Sequence, residues 1–155
     1  MSEPVAAKLS EFIEQYLPTA RHMQLSVTDY QQGCLQLHAP LAPSINDKQT
    51  AFGGSIYVVA VMACWGSVYL HCVEQGLDPD IVVAKAEIEY LLPVPEDIVA
   101  RSLPAPEADW QVFFQRFEER GRAKIELCSE VLVNGQVAAR FKGLYAIVGV
   151  KAPAQ

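Results

Sequence analysis

The chain has 155 residues, a formal net charge of −6 and a hydrophobic content of 51%. That length fits one domain, and a domain of this size buries about 70% of its unfolded surface, enough for a proper core. An acidic chain with scattered Lys and Arg lacks the electrostatic footprint of a nucleic-acid or anionic-membrane binder.

Cys34, Cys64, Cys72 and Cys128 show no CxxC spacing and no neighbouring His cluster. They read as reduced, mostly buried thiols of a cytoplasmic protein, with a disulfide pair as the lesser alternative. The first residues lack the apolar core of a signal peptide. No metal and no cofactor are expected.

Ser2-Glu3-Pro4 reads as a helix start, with a capping serine and a proline in the first turn. Val5, Leu9, Phe12, Ile13 and Tyr16 follow at spacings of three and four. They form one apolar face of a helix over about residues 3–17, which Pro18 ends. From Met23 the period changes to two. Met23, Leu25 and Val27 alternate with Gln24, Ser26 and Thr28. After Gln31-Gln32-Gly33, Leu35, Leu37, Ala39 and Leu41 alternate with Gln36 and His38. Two half-buried strands with a glycine-bearing turn make a hairpin. His22 and His38 fall on polar faces and read as solvated, because no second His or Cys lies at ligand spacing.

Residues 46–76 hold a polar loop, a double glycine and a long apolar run. Between Ser55 and Val73 there is no Asp, Glu, Lys or Arg. A helix without a polar face is enclosed by protein or by lipid. A run of about 18 residues would suffice to span a bilayer. Gly66, Ser67 and His71 interrupt it, however, and no basic cluster flanks it. The stretch therefore reads as the buried central helix of a soluble protein. Ala60, Ala63, Cys64 and Ser67 recur along it at helical spacing and would let a sheet approach its backbone.

Gly76 is a helix stop, and Asp78-Pro79-Asp80 reads as a turn rather than a metal site. Residues 81–92 form the longest strand. Val82, Ala84, Ala86, Ile88, Tyr90 and Leu92 should share one face, and Lys85, Glu87 and Glu89 the other. Glu87 and Glu89 raise the question of a glycosidase-like pair. Side by side on one strand face, they read better as a solvated surface or a subunit contact. Pro93 and Pro95 end this strand, and another follows over residues 97–103. Trp110, Phe113, Phe114 and Phe117 return to helical spacing, a stripe read as core rather than as a cofactor box.

Residues 122–133 and 136–148 are two long strands around Asn134-Gly135. Ala123, Ile125, Leu127, Val131 and Val133 share a face in the first. Val137, Ala139, Phe141 and Tyr145 should share one in the second. A plain two-residue turn would set Leu127 against Lys142 and send the apolar sets to opposite sides. An odd-length or bulged connection is expected instead, bringing Glu130 near Arg140.

This order of elements, with its glycine loop, resembles the hot-dog thioesterase superfamily. Within it, the chain is most similar to the YiiD-type C-terminal thioesterase-like family. The resemblance is carried by Asn46, Thr50-Ala51-Phe52-Gly53-Gly54-Ser55, Glu89-Tyr90-Leu91-Leu92-Pro93, Gly121-Arg122 and Phe141-x-Gly143-x-Tyr145. It covers about residues 20–149. It implies a single α+β hot-dog domain over residues 1–155, with a curved antiparallel sheet around a long central helix. It also implies a homodimer or tetramer, with the sheet continuing between subunits near residues 87–91. The implied chemistry is cofactor-free hydrolysis of an acyl-CoA or acyl-carrier-protein thioester, with neither nucleic acid nor membrane as partner.

Gly53 and Gly54 become oxyanion-hole candidates. A helix N-terminus with free N–H groups stabilises developing negative charge, and glycine lets a carbonyl come close. Asn46 is a candidate for positioning water or the carbonyl. Asp47 is the candidate general base, set against a plain polar turn. Thr50 or Ser55 is a candidate to orient the base, and Thr50, Phe52, Ser55 and Tyr57 are candidates to contact substrate. The chain departs from the family pattern in two places. Phe52 stands where many hot-dog thioesterases carry His, and the central helix has no carboxylate before Glu74. The rival reading is a non-catalytic acyl-binding module.

Overall fold

The computed structural model describes residues 2–150, of which residues 2–4 and 150 are described by backbone alone. The side-chain cap expected at Ser2 thus falls outside the described residues. Helix α1 spans Ser2–Tyr16 and buries Leu9 and Ile13. Pro18 ends α1 and also opens a second short helix, α2, Pro18–His22. Its fixed φ and missing N–H suit a first helical turn. The hairpin therefore starts at Ser26, later than the alternation from Met23 suggests. Met23 and Leu25 are buried all the same, under a chain reversal in which the Leu25 N–H donates to the Ala20 carbonyl at 3.0 Å.

Strands β1 (Ser26–Gln31) and β2 (Cys34–Ala39) form that hairpin. The other elements are α3 (Gly53–Glu74), β3 (Pro79–Tyr90), β4 (Ile98–Ser102), α4 (Glu107–Arg120), β5 (Arg122–Val133) and β6 (Gln136–Val150). The six strands make one antiparallel sheet in the order β1-β2-β4-β5-β6-β3.

The sheet wraps α3. This helix is long and apolar enough to cross a membrane, with a mean hydropathy of 1.8. Here it is the core helix instead. Val59, Ala60, Ala63, Cys64, Val68 and Leu70 are wholly buried. The small residues let strand side chains reach the helix backbone. Ser129 donates to the Ala60 carbonyl at 2.8 Å and Tyr145 to the Val61 carbonyl at 2.7 Å. In return the Trp65 indole donates to the Ile81 carbonyl at 3.1 Å. Each bond satisfies a polar side chain that would be costly to bury alone. Gly66 is needed for the same close packing: a Cβ there would lie 2.5 Å from the Leu35 side chain and 2.9 Å from that of Leu9.

Two bulges decide the register. The Asn134-Gly135 connection is a two-residue turn after all, both residues having positive φ, with Val133 opposite Gln136. Parity is then reset one step in, where Ala138 is the extra residue between Val137 and Ala139. Beyond it Leu127 faces Gly143, and Glu130 faces Arg140, as expected. Val137 pairs with Leu132, so it does not share the face of Phe141 and Tyr145. In β3 the extra residue is Ala84, between Val83 opposite Tyr145 and Lys85 opposite Leu144. It shifts the phase, so Val82 does not share the face of Ala86 and Ile88. Val82 is 48% exposed.

The aromatic stripe of α4 is core, with Trp110, Phe113 and Phe117 buried. All four cysteines are free thiols. Burial pushes those of Cys64 and Cys72 up to about 12, which leaves them unreactive. Glu87 pairs with Lys142 at 3.0 Å on the solvated face of β3.

Candidate active site

The site is built at the N-terminus of α3. A short 3₁₀ turn, Ala42–Ser44, turns the chain out of β2. Ile45 and Ala51 then form an isolated antiparallel bridge that closes the loop. Asn46 holds the loop from within. Its side-chain oxygen accepts from the N–H groups of Lys48 at 2.9 Å and Thr50 at 3.1 Å. Its amide nitrogen donates to the Thr50 hydroxyl at 3.0 Å. These bonds are a local side-chain substitute for backbone turns. Asn46 and Thr50 are thus brought together and committed to each other.

Asp47 projects from the tip of this loop. Its side chain is 82% exposed and pairs with Lys48 at 3.2 Å. Below it, the Ala51 N–H donates to the Val94 carbonyl at 2.8 Å and the Phe52 N–H to the Ser44 carbonyl at 2.7 Å. Phe52 therefore enters the helix fixed in an extended conformation, as the N-cap, without a side-chain cap bond. The first N–H groups of a helix have no intrahelical partner. Those of Gly53, Gly54 and Ser55 fall in that position, and their positive dipole end favours an anion.

A cavity of about 590 Å³ opens beside this helix start. Phe52, Gly54, Ser55 and Val58 line it from α3, with Pro43 from the loop. Pro18, Thr19, His22 and Met23 close it from α2. Phe52 is 58% exposed and covers Gly54, where a Cβ would lie 2.6 Å from its ring. Tyr57 packs edge-on against Phe141, ring centroids 5.7 Å apart.

Two residues at the site escaped the sequence reading. His22 is exposed, as expected, but its place beside the cavity depends on α2, which was not foreseen. That turn of helix carries it into the lining of the cavity. Tyr90 was read only as part of a strand face and of the motif 89–93, not as a site residue. Its hydroxyl donates to the Gly53 carbonyl at 2.8 Å. Its ring lies 3.7 Å from where a Gly53 Cβ would stand. Burial and the neighbouring Tyr57 raise its pKa, which keeps it a donor. Asp47 is not among the residues that line the cavity. Among the described residues no group of three or more His, Cys, Asp and Glu side chains is placed to hold a metal ion.

A curved antiparallel sheet around a central helix, with free amides at the helix start, defines the hot-dog thioesterase class. The chain belongs to the YiiD_C family, described as "Putative thioesterase (yiiD_Cterm)", whose model matches residues 6–149. Among solved structures it is similar to a protein of unknown function from Chlorobaculum tepidum TLS, at 38% identity over 95% of this chain and 96% of that one, with a TM-score of 0.90. It is also similar to a putative thioesterase from Shewanella oneidensis, at 33% identity over 96% and 99% of the two chains, with a TM-score of 0.83. A thioesterase from Haemophilus influenzae shares the fold at 12% identity, covering 97% and 94% of the two chains, with a TM-score of 0.72. Family and fold together support a thioester hydrolase.

Proposed function

We propose that the protein hydrolyses acyl thioesters of coenzyme A or an acyl carrier protein, as a cytoplasmic homodimer and without a cofactor. The observation that carries this is the start of α3, with free amides at Gly53, Gly54 and Ser55, beside a cavity large enough for an acyl group. The thioester carbonyl sits over Gly54, and the amides hold the oxyanion as it forms. Such preorganised donors are usually a large part of acyl-transfer catalysis. Phe52, Ser55 and Val58 contact the acyl chain in the cavity, while Tyr57 supports the far side of the helix through Phe141. Asn46 and Thr50 keep the loop in shape.

Water needs a base. Asp47 is solvated and held by Lys48. His22 lines the cavity beside the helix start, and an imidazole is the side chain most often used as a general base. Its ring makes no hydrogen bond to the described residues, so a ring nitrogen is open to water. We assign the base to His22. Water attacks the carbonyl carbon as His22 removes its proton. The oxyanion then collapses, the C–S bond breaks, and the imidazolium returns the proton to the departing thiolate.

The dimer reading rests on β3. It pairs with β6 on one side only and ends the sheet. Val82, Val83, Tyr90, Leu91 and Leu92 are exposed along and beyond it. An exposed apolar edge strand is a template for a second copy. The purified protein should release free thiol from a panel of short, long and aromatic acyl-CoAs. Tight binding across the panel without turnover would instead favour an acyl-binding module.

A further inference from the structure

We infer that Tyr90 is a positioning residue that sets the oxyanion donor at Gly54 through the Gly53 carbonyl. The inference rests on the thioesterase reading above and adds to it a second element of the fold.

The Gly53 carbonyl and the Gly54 N–H belong to one planar peptide unit. Whatever fixes one fixes the other. Neither glycine has a side chain to restrain that plane, and no side chain caps the helix. At the start of a helix, two glycines leave this peptide held only by the helical bond from the N–H of residue 57. The Tyr90 hydroxyl supplies the restraint, donating to the Gly53 carbonyl at 2.8 Å. The ring lies along Gly53, 3.7 Å from its Cβ position. In a helix this carbonyl also accepts the N–H of residue 57. It therefore takes two donors.

Hydrogen bonds to a carbonyl polarise its peptide and strengthen the N–H on the far side. The Gly54 N–H is thereby a better donor to an oxyanion than a plain helix-end amide. The effect matters most in the transition state, where the charge on oxygen is greatest, so it should appear in kcat rather than in KM.

Tyr90 is the last residue of β3, the sheet edge. Its backbone is held across that edge, opposite Ala139 of β6. The next two N–H groups, of Leu91 and Leu92, both donate to the Ala138 carbonyl, at 2.8 and 3.1 Å. The bulge residue Ala138 thus anchors the turn that aims Tyr90 at the helix.

The test is Tyr90→Phe, which keeps the ring and removes the donor. On a readily hydrolysed acyl-CoA, kcat should fall about 3- to 10-fold, the worth of one such hydrogen bond, with KM changed less than about 2-fold. Affinity for a non-hydrolysable thioether analogue of the same acyl-CoA should be unchanged, and the melting temperature should fall by no more than about 2–4 °C. Independently of activity, the Gly54 amide nitrogen resonance should move upfield in the variant as its peptide loses polarisation. Unchanged kcat and an unmoved Gly54 resonance would overturn the inference while leaving the thioesterase reading intact. A fall in kcat matched by weaker thioether binding would overturn it too, making Tyr90 a substrate contact. Wild-type protein that turns over no acyl-CoA would overturn both.

Discussion

His71 lies flat against Trp110, ring centroids 3.7 Å apart and planes 6° from parallel. Its Nδ1–H donates to the Ser67 carbonyl at 2.7 Å. The pair ties the end of α3 to α4, and the ring also meets the β1–β2 turn at Gly33.

This contact makes stability depend on pH. Burial holds the His71 imidazole below its ordinary value, against the opposing pull of Ser67, Glu74 and Glu107. The unfolded chain therefore takes up a proton that the folded chain refuses. The contribution is fully present above the ordinary histidine value near 6.5 and is lost as the pH falls below it. One proton can contribute at most about 1.4 kcal/mol per pH unit. Denaturant melts at pH 7.5, 6.5 and 5.5 should show a decline confined to the lower interval. His71→Gln should flatten it, and an unaltered decline in that variant would assign the effect elsewhere.

His22 and Asp47 make opposite predictions. With His22 as base, His22→Asn should lower kcat by about 10²–10⁴-fold, the usual worth of general-base catalysis. Asp47→Asn should stay within about 2-fold of wild type, since its carboxylate is solvated and paired with Lys48. Steady-state kinetics on one acyl-CoA decides between them. The reverse ranking would return the base to Asp47.

Gly54→Val should damage both kcat and KM. A Cβ at Gly54 would lie 2.6 Å from the Phe52 ring. The ring is exposed and can swing away, so folding should survive. The displaced ring and the added branch then occupy the space where the carbonyl must approach. Wild-type KM in a folded Gly54→Val protein would place the acyl carbonyl elsewhere.

The free edge of β3 should carry the dimer contact. Leu91 is 44% exposed, and its N–H is already bonded to Ala138, so a new side chain leaves the fold alone. Leu91→Lys puts a charge at that seam. Sedimentation at micromolar concentration should show a dimer for the wild type and a shift toward monomer for the variant. A wild-type monomer would remove this edge from the assembly.

Much of the fold is legible in the chain itself. From Ser55 to Val73 there is no ionisable Asp, Glu, Lys or Arg, so burial of α3 follows from composition alone, because a helix with no polar face has to be enclosed. The stripe Trp110, Phe113, Phe117 and the odd positions of β5 were equally plain, since periodicity is local. The loop of Asn46 leading into the Gly53-Gly54 helix start could also be placed from the sequence, because its turn and helix-start signals are local. The bulges at Ala84 and Ala138 were not plain. Parity conflict announced that a bulge was needed in the last hairpin, but its position depends on which strand residues must pack on α3. Alternation at residues 23–27 imitated a strand, because an apolar residue buried under a chain reversal has the same spacing as one buried in a sheet. The site divides the same way. Sequence supplied the helix-end donors, which need only a local backbone geometry. Tyr90 meets the Gly53 carbonyl from 37 residues away, and His22, 32 residues before Gly54, joins the lining of the same cavity. Such neighbours exist only once the core has closed, and tertiary packing alone decided them.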